Sequence, residues 1–114
     1  MIIDFDKTEF AVMPNFKGGE KETAVKMFAD ENNKIMIGKL VPGASIGLHR
    51  HDGNSEIMLI QKGHGKILFD GKYEPIEEGC VHYCPEGQEH SLINDGKENL
   101  IYLSLIHISE PTRH

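Results

Sequence analysis

Turn-forming clusters interrupt this chain too often for long helices to propagate. Asp30-Glu31-Asn32-Asn33, Pro42-Gly43, Asp52-Gly53-Asn54-Ser55, Asp70-Gly71, Pro85-Glu86-Gly87 and Asn94-Asp95-Gly96 recur roughly every 9 to 18 residues. The segments Ala24 to Ala29, Lys34 to Val41, Glu56 to Gln61, Lys66 to Phe69, Val81 to Cys84, Ser91 to Ile93 and Asn99 to Ile106 fill the gaps. They are rich in Ile, Leu, Val, Met, Phe and Tyr, and none carries an apolar stripe of helical period. An all-β sandwich or barrel follows.

At 114 residues, 39% hydrophobic and 26% charged, the chain has the composition of one soluble domain. Eighteen Asp and Glu against twelve Lys and Arg give a formal net charge of −6, so no basic footprint exists to hold phosphate backbones and no nucleic-acid partner is expected. No apolar run approaches the roughly 18 residues that span a bilayer. The start Met1-Ile2-Ile3-Asp4-Phe5-Asp6 lacks the parts of a secretory signal, so a cytoplasmic protein with no membrane partner is expected. Cys80 and Cys84, on an extended strand, stand roughly 13 Å apart, beyond disulfide reach, and are expected as reduced thiols.

Chemistry concentrates between Gly43 and Asn94. His49 and His51 sit at i and i+2, so on a strand both imidazoles face one side. The Asp52 to Ser55 turn can reverse the chain and bring Glu56 beside them, and His90 comes from a distant strand. Three neutral imidazoles and one carboxylate suit a divalent transition metal (Mn, Fe, Co, Ni, Cu or Zn) and suit Mg or Ca poorly.

These residues stand in a pattern that resembles the cupin family. Gly43 to Gly63 reads G-x5-H-x-H-x4-E-x6-G through Gly43, His49, His51, Glu56 and Gly63, and Gly79 to Asn94 reads G-x5-P-x-G-x2-H-x3-N through Gly79, Pro85, Gly87, His90 and Asn94. Both cupin motifs are filled, and the short spacing between them is similar to that of small microbial cupins. The resemblance implies a double-stranded β-helix, the jelly-roll barrel, with His49, His51, Glu56 and His90 as metal ligands; homodimers are frequent in such a family. The motif glycines are expected at turns with positive φ, and Asn94 as a turn residue.

Counting alternate residues from the ligands places Met58, Ile60, Leu92, Ser45 and Gly47 on the cavity side, and Arg50, Ile57, Leu59 and Gln61 outside, the apolar two at an interface if a second copy covers them. Cys80, His82 and Cys84 share a face. Same-face neighbours on one strand splay roughly 7 Å apart, so a second metal site is not expected, and the cysteines are expected as small apolar filler.

The end of the chain stands apart. Leu103 to Arg113, LSLIHISEPTR, resembles the translation of a sequencing adapter, which makes residues 1–102 the expected domain, 103–114 a non-native tail, and His107 and His114 uninformative.

A small metal-dependent enzyme of oxygenase, isomerase or lyase type, acting on a small oxygenated metabolite with Glu56 as catalytic base, is the first functional expectation. A module that binds a small molecule without converting it is the alternative, and a dimeric scaffold the third. Fold and ligand set are shared by all three.

Overall fold

The structure, a computed structural model, describes residues 1–109; residues 110–114, with Glu110, Arg113 and His114 of the expected tail, lie outside the described residues. The strands are β1 (Ala11–Pro14), β2 (Glu22–Ala29), β3 (Asn33–Leu40), β4 (Ser45–Arg50), β5 (Asn54–Lys62), β6 (His64–Phe69), β7 (Lys72–Glu77), β8 (Val81–Cys84), β9 (Glu89–Ile93) and β10 (Leu100–Ile108). They form a six-stranded sheet, β1-β2-β3-β10-β5-β8, and a four-stranded sheet, β4-β9-β6-β7. The expected all-β jelly roll is what the chain forms.

Alternation explains the core. Along β5, Glu56, Met58 and Ile60 are buried at 5%, 1% and 1% exposure while Ile57 between them is 43% exposed, so one face of the strand is dry. Leu40, Ile46, Ile67, Leu92 and Leu100 complete the apolar filling around Met58 and Ile60. Burying one such side chain contributes about 1.5–3 kcal/mol, so they dominate the stability of the shell.

Turn chemistry sets the connections. Asp70 and Gly71 both take positive φ, 52° and 73°, the two-residue turn that joins β6 to β7 with Phe69 opposite Lys72. The motif glycines Gly43, Gly63, Gly79 and Gly87 all take positive φ, as expected. At Gly63 a side chain would also meet the Asn99 carbonyl oxygen at 2.6 Å. Asn94 is a turn residue: its Nδ2 donates to the carbonyls of Leu40 and Glu98, and its Oδ1 accepts from Gly96 N–H.

Strands β1 and β7 were not among the expected ones. Each ends its sheet and each contains a proline, Pro14 or Pro75; β7 lacks an apolar run, and β1, though it carries Ala11-Val12-Met13, is only four residues long. Leu103 to Ile108 of the expected tail lie in β10, between β3 and β5.

Candidate metal centre

The two histidines of the first motif are aimed by a bulge. Ile46 pairs with Leu92 and His49 with His90, so β4 spends one more residue than β9 over that interval. The extra residue breaks strict alternation. Ile46, rather than the expected Ser45 and Gly47, shares the cavity wall with His49, and Leu48 is turned outward at 51% exposure.

His51 follows the end of β4, fixed by its N–H to the Gln88 carbonyl at 2.9 Å and by Gly87 N–H to its own carbonyl at 2.7 Å. The following turn is not a hairpin. It carries the chain from the four-stranded sheet to the six-stranded one, so Glu56 on β5 faces the histidines from across the barrel.

The four sequence-derived candidates come together. One ligand atom from each of His49, His51, Glu56 and His90 lies within 4.8 Å of all the others. Glu56 Oε1 is 2.9 Å from the Nε2 of both His51 and His90, and those two nitrogens are 3.0 Å apart. Lone pairs so crowded repel unless a proton or a cation stands among them, and a borderline donor set of this kind can hold a transition ion.

Surrounding groups hold the rings. His49 Nδ1–H donates to the Gly47 carbonyl at 2.7 Å, and His51 Nδ1–H donates to Asn54 Oδ1. Each bond leaves Nε2 free to face the cluster. The other carboxylate oxygen of Glu56 accepts from Ser104 Oγ.

The electrostatics follow from burial and these bonds. Burial and the neighbouring His90 and His51 lower the pKa of His49, outweighing its bond to Gly47. Burial works against protonation of His51 too, but the bonds to Glu56 and Asn54 prevail and its pKa is raised, with the Lys17 ammonium opposing. Burial alone would raise Glu56; hydrogen bonds from His51, His90 and Ser104 reverse that and hold it far below the usual carboxylate range.

The cluster faces a cavity of about 410 Å³. Val25, Met36, Ile46, Met58 and Leu92 form its apolar wall, and the exposed Lys17, Lys34, Arg50 and Asp52 stand at its rim. Lys17 is brought there by a short 3-10 turn, Phe16–Gly18, that lies directly on β4. A side chain at Gly47 would meet the Lys17 carbonyl oxygen at 2.0 Å, so only glycine admits the approach. Tyr102 also lines the cavity; its hydroxyl is buried and has no hydrogen-bond partner among the described residues.

The family model described as Cupin domain matches residues 36–106. The chain is a cupin. A curated relative from Thermotoga maritima, named oxalate-binding protein, is 36% identical over 98 residues, 81% of each chain. A crystal structure titled as a predicted oxalate decarboxylase from Thermotoga maritima superposes on this cupin with a TM-score of 0.90 at 30% identity, covering 95% of this chain and 99% of that one. A cupin 2 conserved barrel domain protein from Salinispora arenicola shares the fold, with a TM-score of 0.75 at 20% identity over 94% of this chain and 87% of its own.

Three groups near the centre escaped the sequence reading. Asn54 reads as a turn residue alone, Tyr102 only as the end of the expected domain, and His82 as outside any metal site. His82 pairs with Met58 and Cys84 with Glu56 across β5 and β8, so both face inward, and His82 Nε2 lies 3.0 Å from His90 Nδ1. The expectation that this strand's residues splay apart considered one strand only; His90 on β9 closes a second cluster with His82 and Cys84. Knowing that Met58 opposes His82 would have revealed it. Cys80 and Cys84 are free, as expected. Burial, then the charge of Glu56, pushes the Cys84 thiol up to about 11, so it is a thiol rather than a thiolate at neutral pH.

Proposed function

We propose that this cupin uses His49, His51, Glu56 and His90 to hold one divalent transition ion, and through it binds a small carboxylate that chelates by two oxygens, oxalate being the simplest. The observation that carries this is the four-donor cluster facing a cavity at whose rim Lys17, Lys34 and Arg50 outnumber Asp52. In a chain of net charge −6, a cationic rim is a local arrangement, and it favours an anionic ligand. The name of the oxalate-binding relative agrees with it.

A bound ion supplies a Lewis acid with positions open to ligand oxygens. Three imidazoles and one carboxylate would suit Mn, Fe, Co, Ni, Cu or Zn. This chain's own residues do the remainder: Lys17 attracts the anion, the apolar wall excludes water, and Tyr102 offers a hydroxyl to a ligand oxygen. A water occupies about 30 Å³ in the liquid, so a cavity of about 410 Å³ exceeds what oxalate fills and leaves room for a substituted or apolar-tailed acid.

Binding is favoured over turnover by the position of Glu56. Its Oε1 faces the imidazoles of both His51 and His90, so that oxygen is not free to take a proton from a ligand. Titration calorimetry of oxalate into the Mn(II)-supplemented and the chelator-treated protein tests this, with carbon NMR of the same mixtures. Metal-dependent binding with oxalate recovered intact is expected. Equal binding without metal contradicts the proposal, and consumption of oxalate transfers Glu56 to the catalytic role.

A second copy of the chain is the partner proposed for the outer face of β5 and β8. Ile57 and Tyr83 lie side by side there, 43% and 55% exposed, with Val81 beside them at 63%. Sedimentation equilibrium giving a monomer at micromolar concentration would contradict it.

A further inference from the structure

His90 has hydrogen-bonding contacts on both edges of its ring. Its Nε2 faces Glu56 and His51, and its Nδ1 lies 3.0 Å from the Nε2 of His82. We propose that His82 is a positioning residue that accepts the Nδ1–H of His90 and so turns the His90 Nε2 lone pair to the ion. This rests on the metal reading above.

The other two histidines supply the comparison. The ring proton of His49 goes to a backbone carbonyl and that of His51 to the Asn54 side-chain oxygen. His90 needs an equivalent acceptor, because an imidazole that ligates through Nε2 keeps its proton on Nδ1. Only His82 stands at hydrogen-bond distance from that nitrogen among the described residues. Its own ring is steadied edge-on by Phe69, centroid to centroid 5.2 Å, and by its place on β8 opposite Met58. To accept, its Nε2 must carry the lone pair and its Nδ1 the proton.

His82 and Cys84 could instead act as ligands in a second cluster with His90. That use conflicts with the first. One imidazole ligates through both nitrogens only as an imidazolate, so filling the first cluster through Nε2 leaves Nδ1–H to be accepted.

The test is a Mn(II) titration followed by the electron paramagnetic resonance of the free ion, on the wild type and on His82→Ala, His82→Gln and Cys84→Ser. His82→Ala is expected to weaken Mn(II) binding by about 10- to 100-fold. His82→Gln, which keeps an acceptor oxygen, should recover most of it, and Cys84→Ser should bind as the wild type does. Nitrogen-15 histidine spectra of the Zn(II)-loaded wild type read the tautomer directly and need no variant to fold; the His90 proton is expected on Nδ1. A wild type that binds no Mn(II) removes the metal reading, and this role with it. A wild type that binds while folded His82→Ala binds equally well removes the positioning role alone. A thiolate charge-transfer band on Co(II) loading, lost in Cys84→Ser, would make β8 a source of ligands and overturn the proposal.

Discussion

The Nε2 atoms of His51 and His90 stand 3.0 Å apart, one from the segment after β4 and one from β9, and the same Glu56 oxygen is 2.9 Å from both. Two residues distant in sequence meet there because the bulge in β4 rotates the first motif onto the second, and a strand of the opposite sheet supplies the carboxylate.

Glu56→Gln keeps the shape of that carboxylate and removes its charge. Mn(II) affinity is expected to fall by more than about 100-fold, beyond the range usual for a residue that only supports a ligand. A calorimetric titration checks this, and an affinity within a few-fold of the wild type would remove Glu56 from the ligand set.

His82 gives the metal-free protein an acid-sensitive step. Burial first, then the neighbouring His90, lowers its pKa from the ordinary 6.5 to about 4. The unfolded chain therefore binds more protons than the folded one in that interval, and stability falls as pH drops through it. Thermal melts of the metal-free protein between pH 7 and about 4 should decline less steeply in His82→Gln than in the wild type. Equal slopes would show that His82 titrates as an exposed histidine does.

Tyr102 offers a cleaner separation of ligand from metal. A hydrogen bond to a charged group contributes about 1.5–3 kcal/mol, so Tyr102→Phe should weaken oxalate binding to the Mn(II)-loaded protein roughly 10- to 100-fold. Metal affinity should be unchanged, and the fold should lose nothing, because the hydroxyl has no partner among the described residues to forfeit. Oxalate affinity equal to that of the wild type would exclude the hydroxyl from the ligand site.

Much of this was legible in the residues themselves. His49, His51, Glu56 and His90 were identifiable from spacing and type, and the turn clusters marked where the inner strands end. What was hidden depended on register. A bulge leaves no mark on composition, so Ile46 replaced Ser45 and Gly47 at the cavity wall. Edge strand β7 is covered on too few sides to need an apolar pattern, and β1, though it carries Ala11-Val12-Met13, is too short to mark itself as a strand. His82 faces His90 through two strand pairings, β8 with β5 and β9 with β4, that no single segment encodes.

The end of the chain makes a prediction about DNA. Along β10, Leu100, Tyr102 and Ser104 face inward, buried at 0%, 1% and 0%, while Leu105, 40% exposed, and His107 face outward. We propose that the natural reading frame departs from this sequence after about Tyr102, with a native strand completing β10 and a native residue in place of Ser104. Resequencing the source DNA should lose LSLIHISEPTR; finding it in a continuous genomic frame would contradict this.

Anomalous diffraction at the Mn absorption edge, from crystals grown with Mn(II), tests the central claim most directly. One strong peak per chain is expected among the Nε2 atoms of His49, His51 and His90 and the carboxylate of Glu56. A cavity without a peak, or a peak between His82 and Cys84 instead, would contradict the account.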